Sequence, residues 1–359
     1  MRLVGRLRLV AVLAVALMVA SCTSPSEPAA AANPVLFYAR GGSLYVSDLT
    51  GAPPRRLTDG PGDTQPAPSP DGKRVAFVRR PVPDQPGGEL WVLDLESGAS
   101  RRLVDPAALV PKFDADQPGV EYPRWSPTGE RIAFLKATFG GGGFLLTTAA
   151  DSGMVLAPDK PLFADPDYEW SPDGSRIAWS GGRSDVRPVD VAVLTVGGSS
   201  TAVATDTNAV SVSFDTDGRS VLFANGDATG SAVTAIPFAL RDGGIYAVDP
   251  GASPAPLLTG PGYYSDLHAL RSGEIGFTQS DTDPADTRTA MIRVLGRDRA
   301  ARTVADTWTD APAPTWSGGW VAYVEKSEQR SLMVRRGAEE PRKIDSGADA
   351  LAWADQTGG

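Results

Sequence analysis

The chain has 359 residues, with 39 glycines, 31 prolines and a formal net charge of −9 at neutral pH. An acidic balance of this kind offers no electrostatic footprint for a nucleic-acid backbone. One cysteine excludes an intramolecular disulfide, and one histidine, His268, excludes any metal site built from several histidines.

The first residues set the expected compartment. Arg2, Arg6 and Arg8 precede the apolar run Leu9–Val19, which is too short for a stable membrane span and suits the core of a signal peptide. The run ends in Val19-Ala20-Ser21-Cys22, which resembles a bacterial lipobox. That resemblance implies cleavage before Cys22 and a diacylglycerol on its thiol, with two or more acyl chains giving stable anchoring. Residues 1–21 are therefore expected to be a lipoprotein signal peptide, and the mature protein to sit on the extracytoplasmic face of the cell membrane. Without those residues the net charge falls to about −12, so the lipid rather than charge would hold the membrane. Residues 22–33 read as a flexible Pro/Ala/Ser tether reaching roughly 35–40 Å.

Length alone suggests two domains, but an internal repeat overrides that expectation. Segments 65–80 (QPAPSPDGKRVAFVRR), 122–137 (YPRWSPTGERIAFLKA), 167–182 (DYEWSPDGSRIAWSGG) and 210–226 (VSVSFDTDGRSVLFANG) align as strand, turn and strand. Weaker copies lie at 265–280 and 311–326. Ser69, Ser126, Ser171, Asp215 and Ser317 mark a period of about 50 residues, which suits four strands plus loops. In Ser-Pro-Asp-Gly the proline presets the first turn corner, the aspartate caps its own backbone and the glycine accepts a positive φ. Third strands follow, such as Glu89–Asp94 and Gly244–Asp249, and then arginine-bearing edge strands such as Ala99–Val104.

Both termini read as parts of one unit. Val35–Ala39, Ser43–Asp48 and Arg55–Thr58 supply strands two to four, and Ala348–Asp355 supplies a first strand. Pairing of the two would close a ring. Residues 34–355 are thus expected to form an all-β, seven-bladed β-propeller closed by its N- and C-terminal strands, with 356–359 as a tail. The turn, the Arg-(Val/Ile)-Ala-(Phe/Trp) strand after it and Leu-Trp-Val-Leu-Asp-Leu (90–95) resemble TolB-type propeller repeats across roughly 34–355. TolB proteins carry an N-terminal α/β domain before the propeller, whereas only the short tether precedes it here, so their translocation role is not implied.

No Gly-x-Ser-x-Gly elbow or phosphate-binding glycine loop is present, and Gly140–Gly143 reads as a hairpin tip. Arg124, Glu169, Ser213, His268 and Thr315 align on first strands near the expected axis. Arg124 and Glu169, on adjacent blades, would form an inter-blade ion pair. Arg124, Glu169 and His268 are the candidate channel-binding residues. The aspartates at 215–217 and 281–286 match no EF-hand spacing and read as turn caps and a solvated loop. Long loops at 79–88, 105–121, 225–243 and 280–289 would share one face. Phe113, Phe238, Tyr263, Tyr264 and Trp308 are its candidate binding residues. The function expected from sequence is a non-catalytic scaffold for an extracytoplasmic protein or peptide, monomeric, without cofactor or nucleic acid. Small-ligand or glycan binding in the channel is the alternative, and a propeller lyase or lactonase the remoter one.

Overall fold

Each repeat begins with a turn whose hydrogen bonds are made by its own sequence. In a computed structural model, which describes residues 34–354 apart from 61, 83–86, 110–118, 139–141, 182–189, 227–242 and 281–288, the Gly72 amide donates to the Ser69 carbonyl at 2.9 Å. Gly72 has φ of 66°. The Ser69 hydroxyl donates to the Asp71 carboxylate at 2.5 Å and accepts from the Arg74 amide at 2.9 Å. Ser171, Asp173 and Arg176 repeat the arrangement at 2.6 and 2.9 Å. The signal peptide, Cys22, the tether and the tail lie outside the described residues.

The turns join strands into antiparallel sheets. β1 (Leu36–Arg40), β2 (Ser43–Ser47) and β3 (Arg55–Arg56) follow in order, and the last strand, β28 (Ala350–Trp353), adds to the free side of β1. The register of that addition runs from Leu36 opposite Trp353 to Ala39 opposite Ala350. β4 (Asp63–Pro68), β5 (Arg74–Arg79), β6 (Glu89–Asp94) and β7 (Ser100–Val104) form a second sheet. β16 (Ala209–Phe214), β17 (Val221–Asn225), β18 (Gly244–Val248) and β19 (Ala255–Thr259) form another. So do β20 (Tyr263–Ala269), β21 (Ile275–Ser280), β22 (Thr289–Leu295) and β23 (Ala301–Trp308). β24 (Thr315–Ser317), β25 (Trp320–Val324), β26 (Ser331–Arg336) and β27 (Arg342–Ser346) complete the four-stranded sheets.

One sheet departs from the expected pattern. β8 (Val120–Trp125), β9 (Arg131–Ala137), β10 (Gly143–Ala149) and β11 (Val155–Leu156) join β12 (Phe163–Trp170), β13 (Arg176–Gly181), β14 (Asp190–Thr195) and β15 (Ser200–Ala204) in a single eight-stranded sheet. Among the described residues the strands form six sheets, where the repeat predicts seven separate ones. The link is short: Gly143 and Phe144 pair with Ala164 and Phe163 at the start of β12. A glycine makes it sterically feasible, because a Cβ on Gly142 would lie 2.7 Å from the Ala164 carbonyl oxygen.

Apolar clusters bind neighbouring sheets face to face. Ala76 and Leu90 pack with Trp125, Ile132 and Phe134, while Phe37 and Leu44 pack with Val75 and Phe77. Leu36 and Tyr38 pack with Val324 and Leu332 on the other side. Inner strands are consequently buried on both faces, as in Val75–Val78, which accounts for their weak alternation.

Polar bonds add direction to this packing. The Trp125 indole donates to the Ala67 carbonyl at 2.8 Å, Trp170 to the Arg124 carbonyl at 3.0 Å, and Trp353 to the Thr315 carbonyl at 3.0 Å. Each bond leaves the end of one first strand and lands on the first strand of the unit before. Trp316 holds the same place in β24, but its indole nitrogen has no partner among the described residues. Its ring occupies the space where a Cβ on Gly276 would sit, 2.5 Å from the indole carbon Cε2.

Trp353→Phe keeps an aromatic ring but removes the bond to the Thr315 carbonyl. The expected loss of stability is about 1–2 kcal/mol. Urea unfolding should show a lower midpoint with an unchanged slope.

Candidate functional site

Interruptions of the first strands build the site. Register shifts fall between Thr64 and Ala67 in β4, Glu121 and Arg124 in β8, Ala164 and Tyr168 in β12, and Ser265 and His268 in β20. Gln65, Tyr122 and Asp266 occupy these bulges at φ of 50°, 54° and 52°. A left-handed residue in a bulge bends the strand and re-aims its side chain. These residues, with Asp167 at the matching place in β12, line a cavity of 610 Å³. First strands of every sheet contribute to its wall, including Phe214, Thr315 and Leu351.

Arg124, Glu169 and His268 all line this wall. The expected pairing is different. Arg124 Nη2 lies 3.2 Å from Asp167 Oδ1, so its partner is Asp167 rather than Glu169. The bulge in β12 carries Asp167 across the gap, while Glu169 faces Ser213 of the next sheet. Arg124 also lies over the Tyr168 ring at 5.0 Å, and the Tyr168 hydroxyl donates to the Tyr122 carbonyl at 2.5 Å.

A second link continues the network. The Ser211 hydroxyl donates to Asp167 and accepts from the Leu267 amide at 2.8 Å. Ser211 is fully buried, so this hydroxyl joins three consecutive first strands.

The wall is electrostatically crowded. Burial raises the Glu169 carboxyl to about 7, opposed by a hydrogen bond from Ser213 and by the charge of Arg124. Burial raises Asp266 to about 6, with the negative charge of Asp167 adding to the effect. Asp167 is also raised by burial, against the pull of Arg124. His268 is lowered to about 4 by burial and by Arg124, so its imidazole is neutral at neutral pH. Arg124 is therefore felt by all four groups.

The expected loop face is organised otherwise. Tyr263 and Tyr264 begin β20, and Trp308 ends β23. Tyr264 is 2% exposed and stacks on Phe277, so it faces the core rather than solvent. Tyr263 lies against Gly226, where a Cβ would meet its ring at 2.3 Å. The Trp308 indole donates to the Ser327 carbonyl at 3.4 Å, and Lys326 Nζ lies 5.5 Å from its ring centre. Phe113 and Phe238 lie outside the described residues. Asp215 and Asp217 accept from the Thr216 and Arg219 amides of their own turn at 2.7 and 2.8 Å. The aspartates at 281–286 lie outside the described residues.

Sequence alignment finds the residues two places before each turn and misses those four places before it: Gln65, Tyr122, Asp167 and Ser211. The available signal was proline at 66, 123 and 166, which interrupts the ladder beside each bulge.

No family model matches the chain. It is 28% identical over 124 residues to the uncharacterised peptidase YuxL of Bacillus subtilis, a match spanning 32% of this chain and 16% of that protein. It resembles the β-propeller domain of the trilobed protease of Pyrococcus furiosus, which has an open velcro topology (TM-score 0.56, 14% identity, 86% of this chain and 88% of that one). It also resembles TolB of Acinetobacter baumannii (TM-score 0.51, 14% identity, 89% of this chain and 66% of that one). These likenesses establish the fold as a TolB-like β-propeller. They also correct one expectation. The relative is a peptidase, and further matching structures include peptidases and a lyase. The partial match to that peptidase overturns the expectation of a non-catalytic scaffold, and the matching structures speak to the fold. Among the described residues no helix is long and apolar enough to cross a membrane.

A raised carboxyl gives stability a definite pH dependence. Native Glu169 holds its proton from its ordinary value of 4.5 up to about 7, where the unfolded chain has lost it. Stability should therefore fall as pH rises through that window. Glu169→Gln should flatten this fall and gain on the order of 1 kcal/mol above neutrality, measured by urea unfolding across pH.

Proposed function

We propose that the chain is a seven-bladed propeller whose axial cavity receives the amine-bearing end of a peptide, in a protein concerned with peptide binding or cleavage. On this reading the eight-stranded sheet counts as two blades, and the pairing of β28 with β1 closes the ring. Lipid on Cys22 would hold the mature protein at the extracytoplasmic face of the membrane.

The charge balance of the cavity carries the reading. Asp167, Glu169, Asp215, Asp266 and Asp349 line it, against the single cation Arg124, which is already paired with Asp167. A ligand ammonium supplies the missing positive charge. Cavities of this size, within roughly 300–1,000 Å³, accept a small-molecule-sized ligand such as a short peptide end. Tyr122, Phe214, Leu351 and several prolines offer apolar wall for its side chains. The choice of a peptide over another amine is supported by the partial match to a peptidase.

The same groups have the proton affinity that acid–base chemistry requires. A carboxyl titrating at about 7, as Glu169 does, can take a proton from water or an amine and return it at neutral pH. A bound ammonium would favour the ionised forms of Glu169 and Asp266, so binding between pH 6 and 7 should release protons.

Calorimetric titration with a tripeptide tests this. A free amino terminus should bind at least about tenfold more tightly than its acetylated form, a difference of about 1.4 kcal/mol. The combined Glu169→Gln and Asp266→Asn changes should remove the preference, the released protons and any cleavage. Equal binding of the acetylated peptide, or preferential binding of an uncharged glycan, would overturn the reading. Lipid labelling of the full chain, absent in Cys22→Ala, tests the anchor separately.

A further inference from the structure

We infer that three consecutive edge strands form a basic stripe that seats the propeller against an anionic phospholipid surface. The edges are β27, β3 and β7. They carry Arg342 and Lys343, Arg55 and Arg56, and Arg101 and Arg102, all exposed. Packing places their sheets side by side. Leu36 and Tyr38 meet Val324 and Leu332 on one flank, and Phe37 and Leu44 meet Val75 and Phe77 on the other.

Protection against edge-to-edge pairing does not account for this distribution. Arginine or lysine serves that purpose on any free edge. Yet β11, β15 and β19 contain no charged residue, although β15 and β19 also present exposed positions. β23 carries one charge of each sign, Arg302 and Asp306. The cations are gathered on one arc.

Part of the charge is already answered. Arg56 lies 3.3 Å from Asp59, and Arg102 contacts Glu89 and Asp105 at 2.6 and 3.3 Å. The other four have no carboxylate partner among the described residues. Arg101 and Arg342 donate to the carbonyls of Ala150 and Leu49 at 2.8 and 2.7 Å, which fixes their guanidinium groups while leaving their charge unmatched. The Lys343 ammonium donates to Gln329 at 3.1 Å. The negative net charge argues against membrane attraction for the molecule as a whole, but the three edge strands carry six cations and one acid, Asp345, which is paired with Arg40.

Chain connectivity selects a bilayer over other anionic surfaces. The segment after Cys22 runs directly into β1, in the central sheet of the three. Its reach of roughly 35–40 Å would keep the arc close to any membrane holding Cys22. The choice of bilayer rests on the anchoring proposed above. The stripe itself does not.

The test uses the full chain carrying Cys22→Ala, so that attached lipid plays no part. Co-sedimentation is measured with vesicles of phosphatidylglycerol mixed with phosphatidylcholine, and with vesicles of phosphatidylcholine alone. The first should retain at least about tenfold more protein, since each cation near an anionic surface contributes roughly fivefold. High salt should abolish the difference. Joint Arg55→Glu, Arg101→Glu and Arg342→Glu changes should also abolish it, while the three corresponding lysine changes should retain it. Unchanged unfolding midpoints show that both variants fold. Equal retention of the glutamate variant would overturn the inference, as would binding to polyphosphate without binding to the mixed vesicles. Neither result bears on labelling of Cys22 or on peptide affinity.

Discussion

Three first strands end by handing an indole N–H to the first strand before them, and the polar wall is arranged around those bonds. Trp125, Trp170 and Trp353 all reach a carbonyl two residues before the preceding unit's turn, or the matching place in it. The bond requires neighbouring first strands to converge closely. Convergence excludes continuous ladders on both sides, so the strands are broken by proline and bulges just where they crowd together. Bulges in turn direct Gln65, Tyr122 and Asp266 toward the axis. The seam and the polar cavity are two results of one geometric demand.

That demand brings like charges together, and the wall contains the means to hold them. Arg124 is bonded to Asp167, and Asp167 is bonded to Ser211, which also anchors the Leu267 backbone. Asp167 is thus held from both sides, although burial pushes its carboxyl up. Burial outweighs hydrogen bonding at Glu169 and Asp266 as well, raising them to about 7 and about 6.

Much of the fold was legible because the repeat writes its turn chemistry directly. Ser69 and Ser171 with their proline, aspartate and glycine specify hairpins whose hydrogen bonds follow from residue type. The pairing of β1 with β28 was readable because the termini complete one unit. Less accessible were features created between units. The link from β10 to β12 depends on the absent Cβ of Gly142, which would meet the Ala164 carbonyl oxygen, and one glycine in isolation carries no such message. Arg124 and Glu169 were found by alignment, but Asp167 was not, since a bulge changes which side chain crosses the gap. Tyr264 illustrates the opposite difficulty. An aromatic at the end of a long loop reads as surface, yet its stacking on Phe277 is set by a strand that starts earlier than the pattern suggests.

Trp316 is fastened differently from the other first-strand indoles. Trp125, Trp170 and Trp353 are held by packing and by a directed bond, whereas the Trp316 indole nitrogen has no partner among the described residues and its ring packs over Gly276. A groove of 170 Å³ already lies along that join, bordered by His268, Trp316 and Gly337. His268 faces this groove and the axial cavity alike. Loosening of the two sheets would therefore bring a lateral entrance into contact with the acidic wall, giving a long chain a way inward that does not depend on threading from either end.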